Sequence, residues 1–171
     1  KALMRPETMN VIQPADKVYL GEETEEENKP IKTLYLRHGE IGNYTDWVTG
    51  TCIKRWAEEK NLAVVMPSGA NMFYMDHPNA NEHYSEFIGK ELVKITRRMF
   101  PLSHKKEDTF IAGLSMGGYC AIRNGLKYHD TFGYIAGLSS AMILEKMGTA
   151  DDSSPMFFEK KSFLESVFGD L

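Results

Sequence analysis

Asp108-Thr-Phe-Ile-Ala-Gly-Leu-Ser-Met-Gly-Gly-Tyr-Cys120 decides the architecture of this chain. The apolar run Phe110-Ile-Ala112 breaks at Gly113-Leu-Ser-Met-Gly117, and Ala121, Ile122, Leu126 and Tyr128 then follow at helix-compatible spacing. The stretch predicts a strand, a sharp turn and a helix, with Ser115 at the apex. In the pattern G-x-S-x-G, glycines flank the serine because the turn is strained and leaves no room for β-carbons. The serine hydroxyl is left exposed. At the start of the following helix, the free N–H of Met116 points to where negative charge would develop during attack on a carbonyl. Glycine and serine are common in loops, so the five residues alone are a weak signal; the strand before and the helix after give them weight.

The rest of the chain narrows the setting. Its 171 residues suffice for one well-filled domain, and 42% hydrophobic with 26% charged residues is an ordinary globular composition. A net charge of -4 with no basic run argues against a nucleic-acid partner, which would need a cationic face. No apolar stretch is long enough to cross a bilayer, and Lys1 opens no signal-like segment. Cys52 and Cys120 stand far apart and outside any C-x-x-C pair, so neither a disulfide framework nor a zinc site is expected. These features predict a cytoplasmic protein without metal or cofactor.

Taken in order, Met9–Gln13 and Lys17–Leu20 read as short strands paired as a hairpin, followed by the acidic block Glu22–Glu27 as a solvated loop. Ile31–Leu36 is the next strand, running into the glycine-punctuated loop Arg37-His-Gly-Glu-Ile-Gly42. Asn43–Trp47 predicts a turn, and Cys52–Lys60 a short helix with Ile53, Trp56 and Ala57 on one face. Leu62–Met66 is apolar throughout, as a parallel strand covered on both faces should be. Asn71–Asn81 reads as an irregular loop, Glu82–Phe100 as a helix with Phe87, Ile88, Leu92, Ile95 and Met99 inward, Phe132–Leu138 as a strand, and Phe157–Phe168 as an amphipathic helix. Strands alternating with helices predict an α/β fold, a three-layer sandwich with a mainly parallel central sheet. In such sheets ligands bind beyond the carboxyl ends of the strands, which would bring Ser115 to face His38, Tyr74, Asp76 and His77.

Several stretches resemble the esterase D and tributyrin-esterase branch of the α/β-hydrolases, which includes S-formylglutathione hydrolases and feruloyl or acetylxylan esterases. They are Thr33–Gly39, Gly42–Trp47, Val64–Gly69, Phe73-Tyr74 with Asp76, Glu91-Leu92 before Phe100-Pro101, and Gly113–Tyr119; together they cover most of residues 30–140. The resemblance implies a serine carboxylesterase acting on small acyl esters, with Ser115 as nucleophile and the backbone N–H groups of Met116 and Glu40 as oxyanion donors. It also implies substrate contacts around His38, Gly39, Tyr74 and Asp76, with Phe73 either packing or binding. Two residues depart from the family pattern. Glu40 stands where an apolar residue is usual, and a carboxylate beside an oxyanion is repulsive unless it turns to solvent. Arg37 also replaces an apolar residue, so it should reach water or pair, for example with Glu40.

A serine esterase further needs a histidine base and an acid that orients it, and in this fold both follow the nucleophile. His129 is the only histidine after Ser115, and a helix over 116–129 would set it about 20 Å away at roughly 1.5 Å per residue. His38 suits loop positioning, His104 belongs to the opposite sheet edge, His77 and His83 could only form a substitute dyad, and Asp151 and Asp152 read as loop solvation. The sequence therefore predicts the N-terminal portion of a single α/β-hydrolase domain over 1–171, weakly active or inactive as it stands, with a strand edge that favours a homo-oligomer. The alternatives are a non-catalytic binding module that keeps a vestigial turn, an acyltransferase, and an S-formylglutathione thioesterase.

Overall fold

The computed structural model describes residues 1–14, 29–77, 81–142 and 149–169. Lys17–Leu20 and Glu22–Glu27 lie outside the described residues. The main sheet contains β1 (Met9–Ile12), β2 (Lys32–Arg37), β3 (Leu62–Pro67), β6 (Thr109–Leu114) and β7 (Tyr134–Leu138), in the spatial order β1-β3-β2-β6-β7. β2, β3, β6 and β7 are parallel, with Tyr35 opposite both Val65 and Ile111. β1 joins as an antiparallel edge, with Val11 against Val65. It covers the apolar β3 from outside, and the expected hairpin partner, Lys17–Leu20, lies outside the described residues. A separate two-stranded ribbon, β4 (Asp76–His77) with β5 (Glu82–His83), occupies part of the expected loop.

Alternation along the strands explains the layers. Tyr35, Val65 and Ile111 pack on one face with residues of α5 (Met116–Lys127), α4 (Leu92–Met99) and α6 (Lys161–Phe168); Leu36, Val64, Met66 and Ala112 pack on the other with Ile53 and Ala57 of α2 (Ile53–Glu59). Trp56, expected on the inward face of α2, is half-exposed. α1 (Asp46–Gly50) begins in the predicted turn and leads into α2, while Phe157–Phe168 divides into a 3-10 turn, Phe157–Glu159, and α6.

The helix predicted over Glu82–Phe100 starts at α3 (Tyr84–Glu86) and passes through a π-helical turn at Phe87–Glu91 before α4. A π turn holds one extra residue, so it rotates the downstream face. Leu92, Val93 and Thr96 therefore point inward, and Ile95 and Met99 are exposed instead. Gly89 lies inside this turn, where a β-carbon would stand 2.1 Å from the Tyr128 ring.

Chain order sets the crevice. The chain winds from β2 to β3, returns past β2 to β6, and continues outward to β7. The loops leaving β2 and β6 therefore part at their carboxyl ends, where an open α/β sheet binds ligand.

Arg37 closes β2 and is 0% exposed, with no hydrogen bond of ordinary geometry to Nε, Nη1 or Nη2 among the described residues. The expected pairing with Glu40 does not form. Burial pulls the guanidinium pKa below its ordinary value, partly opposed by the nearby Cys120, Tyr74 and Tyr35 side chains. An unpaired cation in such a place is costly. Arg37→Met keeps the volume and removes the charge. It should raise unfolding free energy by about 1–4 kcal/mol, seen as a higher denaturation midpoint at unchanged slope; a lower midpoint would show that the guanidinium is compensated.

Candidate active site

Ser115 sits between β6 and α5 with φ 54° and ψ −115°, a conformation that an L-residue holds only under constraint. The constraint is visible. Its N–H donates to the Leu138 carbonyl at 2.9 Å, and its carbonyl accepts from the N–H groups of Tyr119 at 3.0 Å and Ala141 at 3.1 Å. The flanking glycines are dictated by closeness: a β-carbon at Gly113 would stand 2.3 Å from the Gly117 carbonyl oxygen. One at Gly117 would stand 2.4 Å from the His38 carbonyl oxygen and 2.7 Å from that of Arg37. The turn thus presses against the end of β2, where the second loop begins.

That second loop carries His38, Gly39 and Glu40. A β-carbon on Gly39 would lie 3.6 Å from Ser115 Cβ, so the two loops are in contact. The Gly39 carbonyl accepts from Gly42 N–H at 3.3 Å, and Asn71 Oδ1 accepts from Ile41 N–H at 2.9 Å. Asn71 is a loop anchor that sequence reasoning did not single out. Met116 opens α5, so its N–H has no acceptor within the helix and adds to the positive end of the helix dipole.

Glu40, Phe73 and Ser115 line one cavity of about 520 Å³, walled on the far side by Asp151, Phe158 and Leu164. The loop over 139–155 was expected at this edge of the sheet, whereas the contribution of Phe158 and Leu164 was not. Asp151 Oδ1 accepts from Ser153 N–H at 2.7 Å and from the Ser153 hydroxyl, and these bonds hold its pKa below the ordinary carboxylate value. Asp152 Oδ1 accepts from Ser162 N–H at 3.0 Å, in the first turn of α6, and from its hydroxyl at 2.6 Å. Asp151 therefore lines the cleft, whereas Asp152 ties the exposed loop to the first turn of α6. The available signal was the turn-forming run Asp151-Asp-Ser-Ser154 ahead of an amphipathic helix.

His38, Tyr74 and Asp76, where substrate contacts are expected, do not line this cavity and have partners of their own. His38 is buried: its Nδ1 lies 2.6 Å from the Gly39 carbonyl oxygen, and its Nε2 accepts from Gly69 N–H at 2.9 Å. Nδ1 therefore carries the proton, and burial lowers the pKa, which keeps the ring neutral. The Tyr74 hydroxyl donates to the His38 carbonyl at 3.3 Å from a buried position. Asp76 accepts from Ser85 N–H at 2.8 Å and meets Lys127 Nζ at 3.5 Å. These three support the loops from behind. Gly39 touches Ser115 without lining the cavity, whereas Phe73 both packs and lines it.

No histidine among the described residues lines the cavity. His77 and His83 are opposed across the β4–β5 ribbon to Glu82 and Asp76, His104 lies in a separate basic hollow with Arg97 and Arg98, and His129 is exposed beyond α5.

A mainly parallel sheet with a strained serine turn at its reversal of strand order defines the α/β-hydrolase architecture. Within that class the chain belongs to the Putative esterase family, whose model matches residues 7–167. It is 42% identical over all 171 residues to an acetyl esterase of Caldicellulosiruptor saccharolyticus, and spans 64% of that relative's length. Among solved structures, it resembles the fluorophosphonate-binding serine hydrolase FphF of Staphylococcus aureus with a TM-score of 0.73 and 33% identity, covering 94% of this chain and 59% of the other. An S-formylglutathione hydrolase from Staphylococcus aureus gives a TM-score of 0.69 and 34% identity, covering 92% of this chain and 59% of the other. The expected branch and fold are therefore borne out. No helix among the described residues is long and apolar enough to cross a membrane.

Proposed function

We propose that the protein hydrolyses carboxylic esters with small acyl groups through an acyl-enzyme on Ser115. The observation that carries this reading is the constrained φ of 54° at a serine that opens onto a 520 Å³ cavity. Ser115 Oγ attacks the ester carbonyl, and the alkoxide that forms is stabilised by the N–H groups of Met116 and Glu40. Collapse expels the alcohol and leaves the acyl group on Ser115, and water then releases the acid.

The base that takes the Ser115 proton is not assigned to any described histidine. We place it, with its orienting acid, in the part of the relatives' length that this chain does not span. His38 is unsuited to the role because both ring nitrogens are engaged by the backbone. The family relationship to an acetyl esterase and an S-formylglutathione hydrolase supports small acyl groups and leaves an oxygen or sulfur leaving group as the choice for assay.

Intact mass of the full-length protein after exposure to a fluorophosphonate tests the reading. One adduct, mapped to Ser115 by peptide sequencing, is the expected result. A full-length protein that forms no adduct yet binds esters without turnover would instead be a binding module.

A further inference from the structure

We propose that Glu40 is the specificity-determining residue of the Ser115 cleft: its side-chain carboxyl admits uncharged esters that bring a hydrogen-bond donor and discriminates against anionic ones. The inference rests on the assignment of Ser115 as nucleophile. It concerns the Glu40 side chain, whereas the oxyanion role above concerns only the Glu40 backbone.

Glu40 lines the same cavity as Ser115, and its Oε1 is buried with no hydrogen-bond partner among the described residues. A buried carboxyl oxygen without a donor is unfavourable, and a ligand hydroxyl or amide N–H reaching it would relieve that cost. Among the described residues Glu40 Oε1 meets no such donor. Arg37 is sealed in the sheet on its own, and Asn71 is engaged with the Ile41 N–H. The other titratable groups facing the cavity, Asp151 and Glu159, are also acids, and no lysine, arginine or histidine lines it among the described residues. Asp151 Oδ1 and Glu159 Oε2 accept hydrogen bonds from Ser153 and Ser154, whereas Glu40 Oε1 is the buried carboxyl oxygen of this lining without a donor among the described residues.

The same placement makes the discrimination depend on pH. Burial pushes the Glu40 pKa up to about 7, with no neighbouring charge contributing. Below that value the carboxyl is neutral and can itself donate. Above it, the carboxylate accepts from a donor-bearing ester but repels an anionic substrate. Preference for uncharged over anionic esters should therefore strengthen as pH rises from 6 to 8.

The test uses the full-length protein and two 4-nitrophenyl esters of one acyl skeleton, the glutarate monoanion and its methyl ester, with kcat/KM measured from pH 6 to 8.5. Titration of the general base affects both substrates and cancels in their ratio. The wild-type ratio should favour the methyl ester, growing about tenfold across the range. Glu40→Gln should flatten that rise and lower the preference at pH 8 by a similar factor, since the amide keeps the shape and loses the charge. A serine-reactive fluorophosphonate is applied to both proteins in parallel. An adduct at Ser115 with a wild-type ratio that does not change with pH, or with a ratio unaltered by Glu40→Gln, overturns the role of Glu40 alone. Failure of wild-type Ser115 to form an adduct overturns the nucleophile assignment, and this inference with it. The wild-type pH series stands without the variant, so a misfolded variant does not remove the test.

Discussion

Ser115→Ala in the full-length protein should lower ester hydrolysis by about 10⁵–10⁶-fold in kcat, because a nucleophile and its base act as one unit and removing either removes the acyl-enzyme route. The residual rate would come from bound substrate and the Met116 and Glu40 N–H groups, worth about 10³-fold over water. Stability should change little, since the bonds that hold the turn come from the Ser115 backbone to Leu138, Tyr119 and Ala141. Circular dichroism and a denaturation midpoint near that of the wild type, together with loss of the fluorophosphonate adduct, would complete the result. A variant retaining a tenth of the wild-type turnover would mean that Ser115 is not the nucleophile.

Gly117→Ala should be among the most damaging single methyl additions at the Ser115 turn. The new carbon would sit 2.4 Å from one backbone oxygen and 2.7 Å from another, and neither is the mobile end of a side chain. Either β2 and α5 separate or the turn relaxes. We expect a loss of about 3 kcal/mol or more, with labelling at Ser115 slowed at least about 100-fold, because a displacement near 1 Å is enough to spoil attack geometry. Gly50→Ala provides the control, since a β-carbon there meets nothing within 4 Å. If the two variants labelled at the same rate, the close packing of the turn would not govern reactivity.

What could be read before folding was local. The turn at Ser115 and the buried character of Leu62–Met66 follow from neighbours within a few residues, and β3 and β6 duly form there. Where the outcome depended on distant parts, the sequence was less informative. Ile95 and Met99 match a helical stripe, but the π turn upstream rotates them outward, and its closely packed ring, Tyr128, lies far along the chain. Arg37 and Glu40 are three residues apart and of opposite charge, so pairing was a reasonable expectation. They separate because β2 commits Arg37 to the packed interior while the loop turns Glu40 toward the cleft. Phe158 and Leu164 were missed as cavity lining for another reason: the apolar stripe of an amphipathic helix shows that it packs, but not against which cleft.

β7 has a consequence for handling the protein in solution. Natural sheet edges are usually blunted by lysine, proline or a bulge, which keeps one molecule from adding to another. Tyr134-Ile-Ala-Gly-Leu138 has none of these, and Tyr134, Ile135 and Leu138 are 63%, 38% and 47% exposed. A solution of residues 1–171 should therefore be colloidally unstable, with light scattering that grows with concentration and a lag that seeding shortens. A lysine in place of Ile135 should act as a gatekeeper and lengthen that lag. The practical limit on studying this polypeptide would then be its concentration, well before its thermal stability.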